Sequence, residues 1–179
     1  MLARTLMTFV LIFGIGGLLW ADYCWQTDVG FNLIIFVAVV LSVQEFYDLT
    51  SRKGYTPYSL WGVVCAGLLV LADWLGHVDF HPELHWVGIV CFVFLGVIFL
   101  QQGWLRPREH GLVSMAVTTF AIVYIWGLAQ FIVRLRYLPG IEVLGVVWMV
   151  AVVKFGDISA YLVGRGFGRH RPFRRISPN

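Results

Sequence analysis

Two ionisable side chains lie inside an otherwise apolar stretch in the last third of the chain. Lys154 and Asp157 are three residues apart, and Tyr161 follows Asp157 by four. On a helix these spacings place all three side chains on one face. Because a charge at membrane depth is costly, it usually lines a polar cavity or is paired. We therefore predict that Lys154 and Asp157 are catalytic residues in a cytoplasm-facing cavity, with a purely structural ion pair as the alternative.

A basic segment follows directly. It contains five arginines and no acidic residue: Arg165, Arg169, Arg171, Arg174 and Arg175. Such a segment attracts phosphate groups, by about 1 kcal/mol per basic residue near an anionic membrane surface. Arg165 and Arg169 are our candidates for substrate binding, although retention of these charges on one side of a membrane explains the segment equally well. Nucleic acid is not an expected partner, since no recognisable nucleic-acid-binding module accompanies the arginines.

Small residues recur every four positions along the same stretch, at Gly156, Ala160, Gly164 and Gly168. This spacing forms a flat stripe that allows a second helix to approach closely. The second helix can belong to the same bundle or to another copy of the chain, so a homodimer is one interpretation. The glycines do not indicate a dinucleotide site, because no buried strand precedes them.

The composition indicates a membrane protein. Hydrophobic residues make up 59% of the 179 residues and charged residues 13%, against about 45–50% and about 25% in soluble domains. Apolar segments occur near residues 5–20, 30–46, 58–75, 85–101, 112–133 and 141–164. They lack a period of two, and the bilayer admits only helices or closed barrels. We predict an all-α polytopic membrane helix bundle of about six transmembrane helices, forming one domain over residues 1–179.

Charges in the loops predict the orientation, because Lys and Arg concentrate on the cytoplasmic side. Basic residues occur at every second boundary: Arg4, Arg52 with Lys53, Arg106 with Arg108, and the arginines from Arg165 onward. This pattern predicts that both termini lie in the cytoplasm. We expect the protein to be located in the inner membrane of the cell. Arg134 and Arg136 do not fit this pattern, because a count of six crossings places them on the outer side of the membrane. If the fifth segment were a re-entrant pair or the sixth did not cross, the number of crossings would change.

The three cysteines, Cys24, Cys65 and Cys91, lie far apart in or beside apolar segments. They have neither the paired spacing of a zinc site nor that of a disulfide framework. We expect all three to take part in core packing.

Two motifs resemble one enzyme family. The run from Asp157 to His170, closing on Ile176-Ser177-Pro178, resembles the central region of the phosphatidate cytidylyltransferases, or CDP-diacylglycerol synthases. Upstream, Glu45-Phe46-Tyr47, Lys53-Gly54 and Pro57 are similar to a cytoplasmic segment of that family. The resemblance covers the chain from about residue 40 onward. One departure is Ile158-Ser159, which stands where Thr-Gly is common.

The resemblance implies an activity for the full-length protein. The family transfers the cytidylyl group of CTP to the phosphate of phosphatidate, releases pyrophosphate and uses a divalent cation such as Mg²⁺. The partners implied are thus CTP, phosphatidate and membrane lipid. The resemblance also implies that Ser177 begins a phosphate-facing loop and so contributes to substrate binding.

In the family, Ser-Pro is followed after one residue by Lys-Thr and then by further helices. We expect this chain to be truncated within that Ser-Pro-x-Lys-Thr motif, with the main metal ligands beyond Asn179 and the fragment inactive alone. Chemistry agrees with this expectation, because Mg²⁺ prefers several oxygen ligands and cytoplasm-side carboxylates are few: Glu45, Asp48, Glu109 and Asp157. Two other functions stay open: an inactive short relative that binds anionic lipid or a partner helix, and a small membrane transporter.

Overall fold

A computed structural model describes residues 14, 16–77, 85–105 and 110–167. Helix α1 covers residues 16–25. It is followed by α2 (Val29–Arg52), α3 (Ser59–His77), α4 (Trp86–Leu100), α5 (Gly111–Arg136) and α6 (Glu142–Phe167), and a π-helical turn, Gln101–Leu105, continues α4. No strand occurs among the described residues. The prediction of an all-α fold is confirmed.

Helices α2, α3, α5 and α6 are each long and apolar enough to cross a membrane, and so is α4 together with the start of the π-helical turn (Trp86–Gly103). They correspond to the last five of the six predicted segments, whereas most of the first segment lies outside the described residues. Helix α5 runs without a break for 26 residues. The interpretation of the fifth segment as a re-entrant pair is therefore wrong, because a re-entrant pair needs a turn inside the membrane.

The chain divides into two compact units, Met1–Gln130 and Phe131–Asn179. The first unit holds α1 to α4 and the greater part of α5, and the second holds the end of α5 and α6. The assignment of residues 1–179 to one domain stays a prediction.

In the first unit, α2 buries one stripe of side chains. The buried residues Phe31, Ile35, Val39, Val43 and Tyr47 recur every four positions, which places them on one face of a helix. Helix α2 packs on α3, and α3 packs on α4. Apolar side chains on the other face of α2 are exposed, as expected for a helix whose outer side contacts lipid.

Helices α3, α4 and α5 share a second group of buried side chains. It consists of Tyr58, Cys65, Leu69, Phe94, Ile98 and Ile122, with Cys91 packed partly against it. The prediction of core packing is thus confirmed for Cys65 and Cys91. It is wrong for Cys24, which is exposed because it lies on the outward side of the last turn of α1.

A carboxylate from the preceding helix caps the N-terminus of α2. Asp22 is only 7% exposed, and it accepts hydrogen bonds from the backbone N–H groups of Gly30 (2.8 Å) and Phe31 (2.7 Å). The Thr27 hydroxyl donates to the same carboxylate (3.1 Å). The first N–H groups of a helix lack intrahelical partners, and negative charge is favourable at this end. Asp22 thereby ties α1 to the start of α2.

The C-terminus of α2 ends in a Schellman motif. The Tyr55 N–H donates to the Thr50 carbonyl (3.2 Å), and the Gly54 N–H donates to the Ser51 carbonyl (3.0 Å). Gly54 has a φ of +90°, a conformation that glycine adopts without the steric cost paid by other residues. The motif turns the chain sharply after Arg52 and begins the connection to α3.

Close packing joins α2 to α3 at Gly62. A Cβ atom added there would lie 2.6 Å from Cζ of Tyr47 and would overlap the Tyr47 hydroxyl. Both residues are buried. The absence of a side chain at position 62 therefore makes room for the Tyr47 ring.

We predict that Gly62→Ala lowers the free energy of unfolding by about 1–3 kcal/mol, the usual cost of overpacking. Thermal unfolding of the purified protein in detergent measures the effect. Gly96→Ala is the matched control, because no atom lies within 4 Å of its added Cβ. Equal stability of the two variants would contradict the packing described for Tyr47.

We further predict that Asp22→Ala destabilises the protein by about 1–3 kcal/mol, because it leaves buried N–H groups without an acceptor. The exposed Asp48 provides a control with the same change in charge, Asp48→Ala. Unfolding by denaturant in mixed micelles compares the two. A loss of stability no greater for Asp22→Ala than for the control would show that the cap is not stabilising.

Candidate functional site

The residues predicted to be catalytic lie on α6. The helix runs through Lys154, Asp157, Tyr161 and Arg165, so the predicted arrangement on one helical face follows from the observed secondary structure. All four side chains are exposed. The structure forms no ion pair between Lys154 and Asp157 within the described residues. Their roles in catalysis and substrate binding stay predictions.

Ser177 and Arg169 lie outside the described residues, as does Gly168. On the described part of the small-residue stripe, no atom lies within 4 Å of a Cβ added at Gly156 or Gly164. This side of α6 therefore has open space beside it.

The described residues do not assemble a magnesium site. No group of three or more His, Cys, Asp or Glu side chains among them could hold a metal ion. Glu45 and Asp48 are both exposed, and Glu109 lies outside the described residues. No catalytic step can accordingly be assigned to a metal held by this part of the chain.

A different polar cluster forms in the first unit, around Thr118 of α5. The Tyr47 hydroxyl donates to the Thr118 carbonyl (2.9 Å), and the Tyr58 N–H donates to the Thr118 hydroxyl (2.9 Å). The Thr118 hydroxyl in turn donates to the Ser114 carbonyl (2.6 Å). These bonds join the end of α2, the residue before α3 and the first turns of α5. We call this set the Thr118 network.

Two further contacts extend the Thr118 network toward the ends of the helices. The hydroxyls of Thr56 and Ser114 are hydrogen-bonded to each other at 3.0 Å. The Tyr58 hydroxyl donates to the Gln102 side-chain carbonyl oxygen, which belongs to the π-helical turn. Single π-helical turns occur often at functional sites. Here the turn brings an amide side chain to the α2–α3 connection.

An open cavity of about 710 Å³ adjoins the network. One wall is the α2–α3 connection and the other is the beginning of α5. The lining residues are Lys53, Gly54, Tyr55, Thr56, His110, Val113 and Ser114. We call it the loop cavity. Its lining combines a cationic side chain, an imidazole and three hydroxyls, and no carboxylate is among these described residues.

Sequence reasoning missed the α5 side of this cluster. Ser114 and Thr118 are fully buried hydroxyl residues in an apolar helix. Their spacing of four, which places both on one helical face, could have indicated a polar contact from the sequence alone. Their partners were not readable, because Tyr47 and Tyr58 are 71 and 60 residues from Thr118 in the chain.

Comparison with known proteins identifies the family. The profile of the Cytidylyltransferase family matches residues 2–179. The chain belongs to the cytidylyltransferase family. The resemblance predicted from the Asp157 and Glu45 motifs is thereby confirmed at the level of the family.

The chain is also similar to a curated relative, Phosphatidate cytidylyltransferase 5, chloroplastic, of Arabidopsis thaliana. The two are 28% identical over 180 positions, covering 83% of this chain and 42% of the relative. The chain thus spans less than half the length of that relative. No solved structure gives a significant match to the chain.

The upstream motif contributes to the Thr118 network. Tyr47 of the Glu45-Phe46-Tyr47 motif supplies a buried hydroxyl, whereas Glu45 is exposed. Pro57 is buried next to Tyr58, and Lys53-Gly54 forms part of the loop cavity. Of the residues that carried the upstream resemblance, Tyr47 therefore joins α2 to α5, and Lys53 and Gly54 line a polar cavity.

We predict that Thr118→Val destabilises the protein by about 1–3 kcal/mol, because the buried Tyr58 N–H loses its acceptor. Thr119→Val removes a neighbouring hydroxyl that is not part of the Thr118 network, and it should change stability by less than about 0.5 kcal/mol. Thermal unfolding in detergent compares the two variants. Equal losses would argue that the network does not contribute specifically to stability.

Proposed function

We propose that the complete protein is a phosphatidate cytidylyltransferase, converting CTP and phosphatidate to CDP-diacylglycerol and pyrophosphate. The observation that carries this proposal is the family match over residues 2–179. The name of the curated relative, Phosphatidate cytidylyltransferase 5, supports the choice of phosphatidate as acceptor. The five apolar helices suit an enzyme whose lipid substrate resides in a membrane.

In the proposed reaction, a phosphate oxygen of phosphatidate attacks the α-phosphorus of CTP. A new P–O bond forms while the bond to the β-phosphate breaks, and pyrophosphate carries away the displaced charge. Two anions must approach each other, so the reaction depends on positioning and on neutralisation of negative charge. Lys154 would offset charge on the reacting phosphates. Asp157 would organise the polar cavity, directly or through Lys154.

Arg165, at the end of α6, would bind a substrate phosphate together with Arg169 and Ser177. Arginine suits this role because its guanidinium group pairs with phosphate through two parallel hydrogen bonds. A divalent cation such as Mg²⁺ would supply further charge neutralisation. Since the described residues do not assemble its ligands, we assign no residue here as a complete magnesium site.

The pattern of loop charges supports an orientation with both termini in the cytoplasm, and we propose the inner membrane of the cell as the location. The basic end of α6 would then face the compartment that contains CTP. The open side of α6 at Gly156 and Gly164 leaves room for a helix from a second copy, so we include a homodimer in the proposal.

The decisive experiment is an assay of CTP-dependent CDP-diacylglycerol formation by the complete natural protein in membranes. We expect activity in that protein and a loss of at least about tenfold in Asp157→Asn, equivalent to about 1.4 kcal/mol in activation free energy. The variant keeps the size of the side chain and removes its charge. Asp48→Asn, at an exposed position of the first unit, is the matched control.

The two possible failures are separable. If the unaltered complete protein forms no CDP-diacylglycerol from CTP and phosphatidate, the proposed function is wrong. If it is active and Asp157→Asn retains that activity, the function stands and the role of Asp157 is excluded.

A further inference from the structure

We propose that the loop cavity binds a phosphate group, either on a phospholipid headgroup or on a soluble anion. The inference concerns a site in the first unit. It goes beyond the proposed function, since none of the residues assigned to the reaction lines this cavity.

The position of the loop cavity is the first observation. Its walls come from the connection between α2, which ends at Arg52, and α3, which begins at Ser59, and from the start of α5 at Gly111. The hydrogen bond between Thr56 and Ser114 shows that these two chain segments meet. Because α2, α3 and α5 are long enough to span a membrane, their ends lie at the depth of lipid headgroups.

The chemistry of the lining is the second observation. Lys53 supplies a positive charge, His110 supplies ring nitrogens, and the exposed residues Tyr55 and Thr56 supply hydroxyl groups. Ammonium, imidazole and hydroxyl groups all donate hydrogen bonds to phosphate oxygens. No acidic side chain is among the lining residues that the structure describes, so nothing in that lining repels an anion.

The walls of the loop cavity are held in place, which is the third observation. On one side, the Schellman motif at Gly54 fixes the backbone at Lys53 and Tyr55. On the other side, Ser114 is 1% exposed and belongs to the Thr118 network. Groups that are already positioned lose little freedom when a ligand binds. The backbone that carries the lining residues is therefore positioned before a ligand binds.

Size and the apolar wall suit a phosphate that carries an organic group. The volume of about 710 Å³ is within the range of roughly 300–1,000 Å³ typical of small-molecule sites. Val113 lines the cavity and is 43% exposed, so it offers apolar surface beside the polar donors. The glycerol part of a phospholipid headgroup matches this combination.

The test titrates the detergent-purified protein with three probes by calorimetry. They are dihexanoyl phosphatidate, inorganic phosphate, and dihexanoyl phosphatidylcholine as a zwitterionic control. We expect at least one of the first two to bind more tightly than phosphatidylcholine. Saturable binding of phosphatidate alone, weakened by the cavity variants below, would support the site and assign it to lipid. Binding of inorganic phosphate with similar affinity, weakened by the same variants, would support the site and assign it to a soluble anion.

The variants locate the binding. Lys53→Gln should weaken binding at least about tenfold, equivalent to about 1.4 kcal/mol, and Val113→Trp should weaken it by filling the loop cavity without changing any charge. Arg52→Gln is the matched control, because this exposed neighbour does not line the cavity, and it should change binding less than about twofold. Circular dichroism checks that each variant keeps its helices.

Three results would overturn the proposal. They are no binding of either phosphate probe, equal weakening by Arg52→Gln and Lys53→Gln, and unaltered binding by a folded Val113→Trp variant. The second result would indicate general attraction to a basic surface. The assay of CDP-diacylglycerol formation tests the proposed function separately. Activity without binding at the loop cavity overturns this inference alone, and binding at the loop cavity without activity overturns the proposed function alone.

Discussion

Helices in a bilayer must satisfy buried polar groups from within the protein, because hydrocarbon offers no hydrogen bonds. Thr118 meets this requirement at the junction of three helices. Its hydroxyl accepts from Tyr58 and donates to Ser114, and its carbonyl accepts from Tyr47. Each bond joins groups that would otherwise be costly to bury. The positions of the α2 end, the α3 start and the first turns of α5 depend on this arrangement, and the loop cavity depends on those positions.

Helix α2 shows how local chemistry sets the limits of a spanning element. Its 24 residues correspond to about 36 Å of helix, somewhat more than the hydrocarbon thickness of about 30 Å. Asp22 satisfies N–H groups at one end, and Gly54 redirects the chain at the other. Between them, the stripe from Phe31 to Tyr47 packs inward. The Tyr47 ring fits because Gly62 has no side chain.

The second unit presents a different situation. Its described residues consist of the last turns of α5, a short connection and α6. Lys154 and Asp157 are exposed on α6, and two charges on an apolar helix require polar surroundings. The described residues 131–167 do not supply these surroundings by themselves. Any chemical role of these two side chains therefore depends on groups outside residues 131–167.

The sequence by itself determined the properties that depend on composition and on short spacings. Apolar segments of membrane length predicted the five described spanning helices, and the motifs at Glu45 and Asp157 predicted the family. The sequence did not reveal which of the two aspartates near the start of α2, Asp22 or Asp28, caps the helix through its side chain. Only the tertiary structure decided this, as it decided the Thr118 network and the loop cavity. These features rest on contacts between residues up to 71 positions apart, and the distance and direction of such contacts are set by how the helices pack.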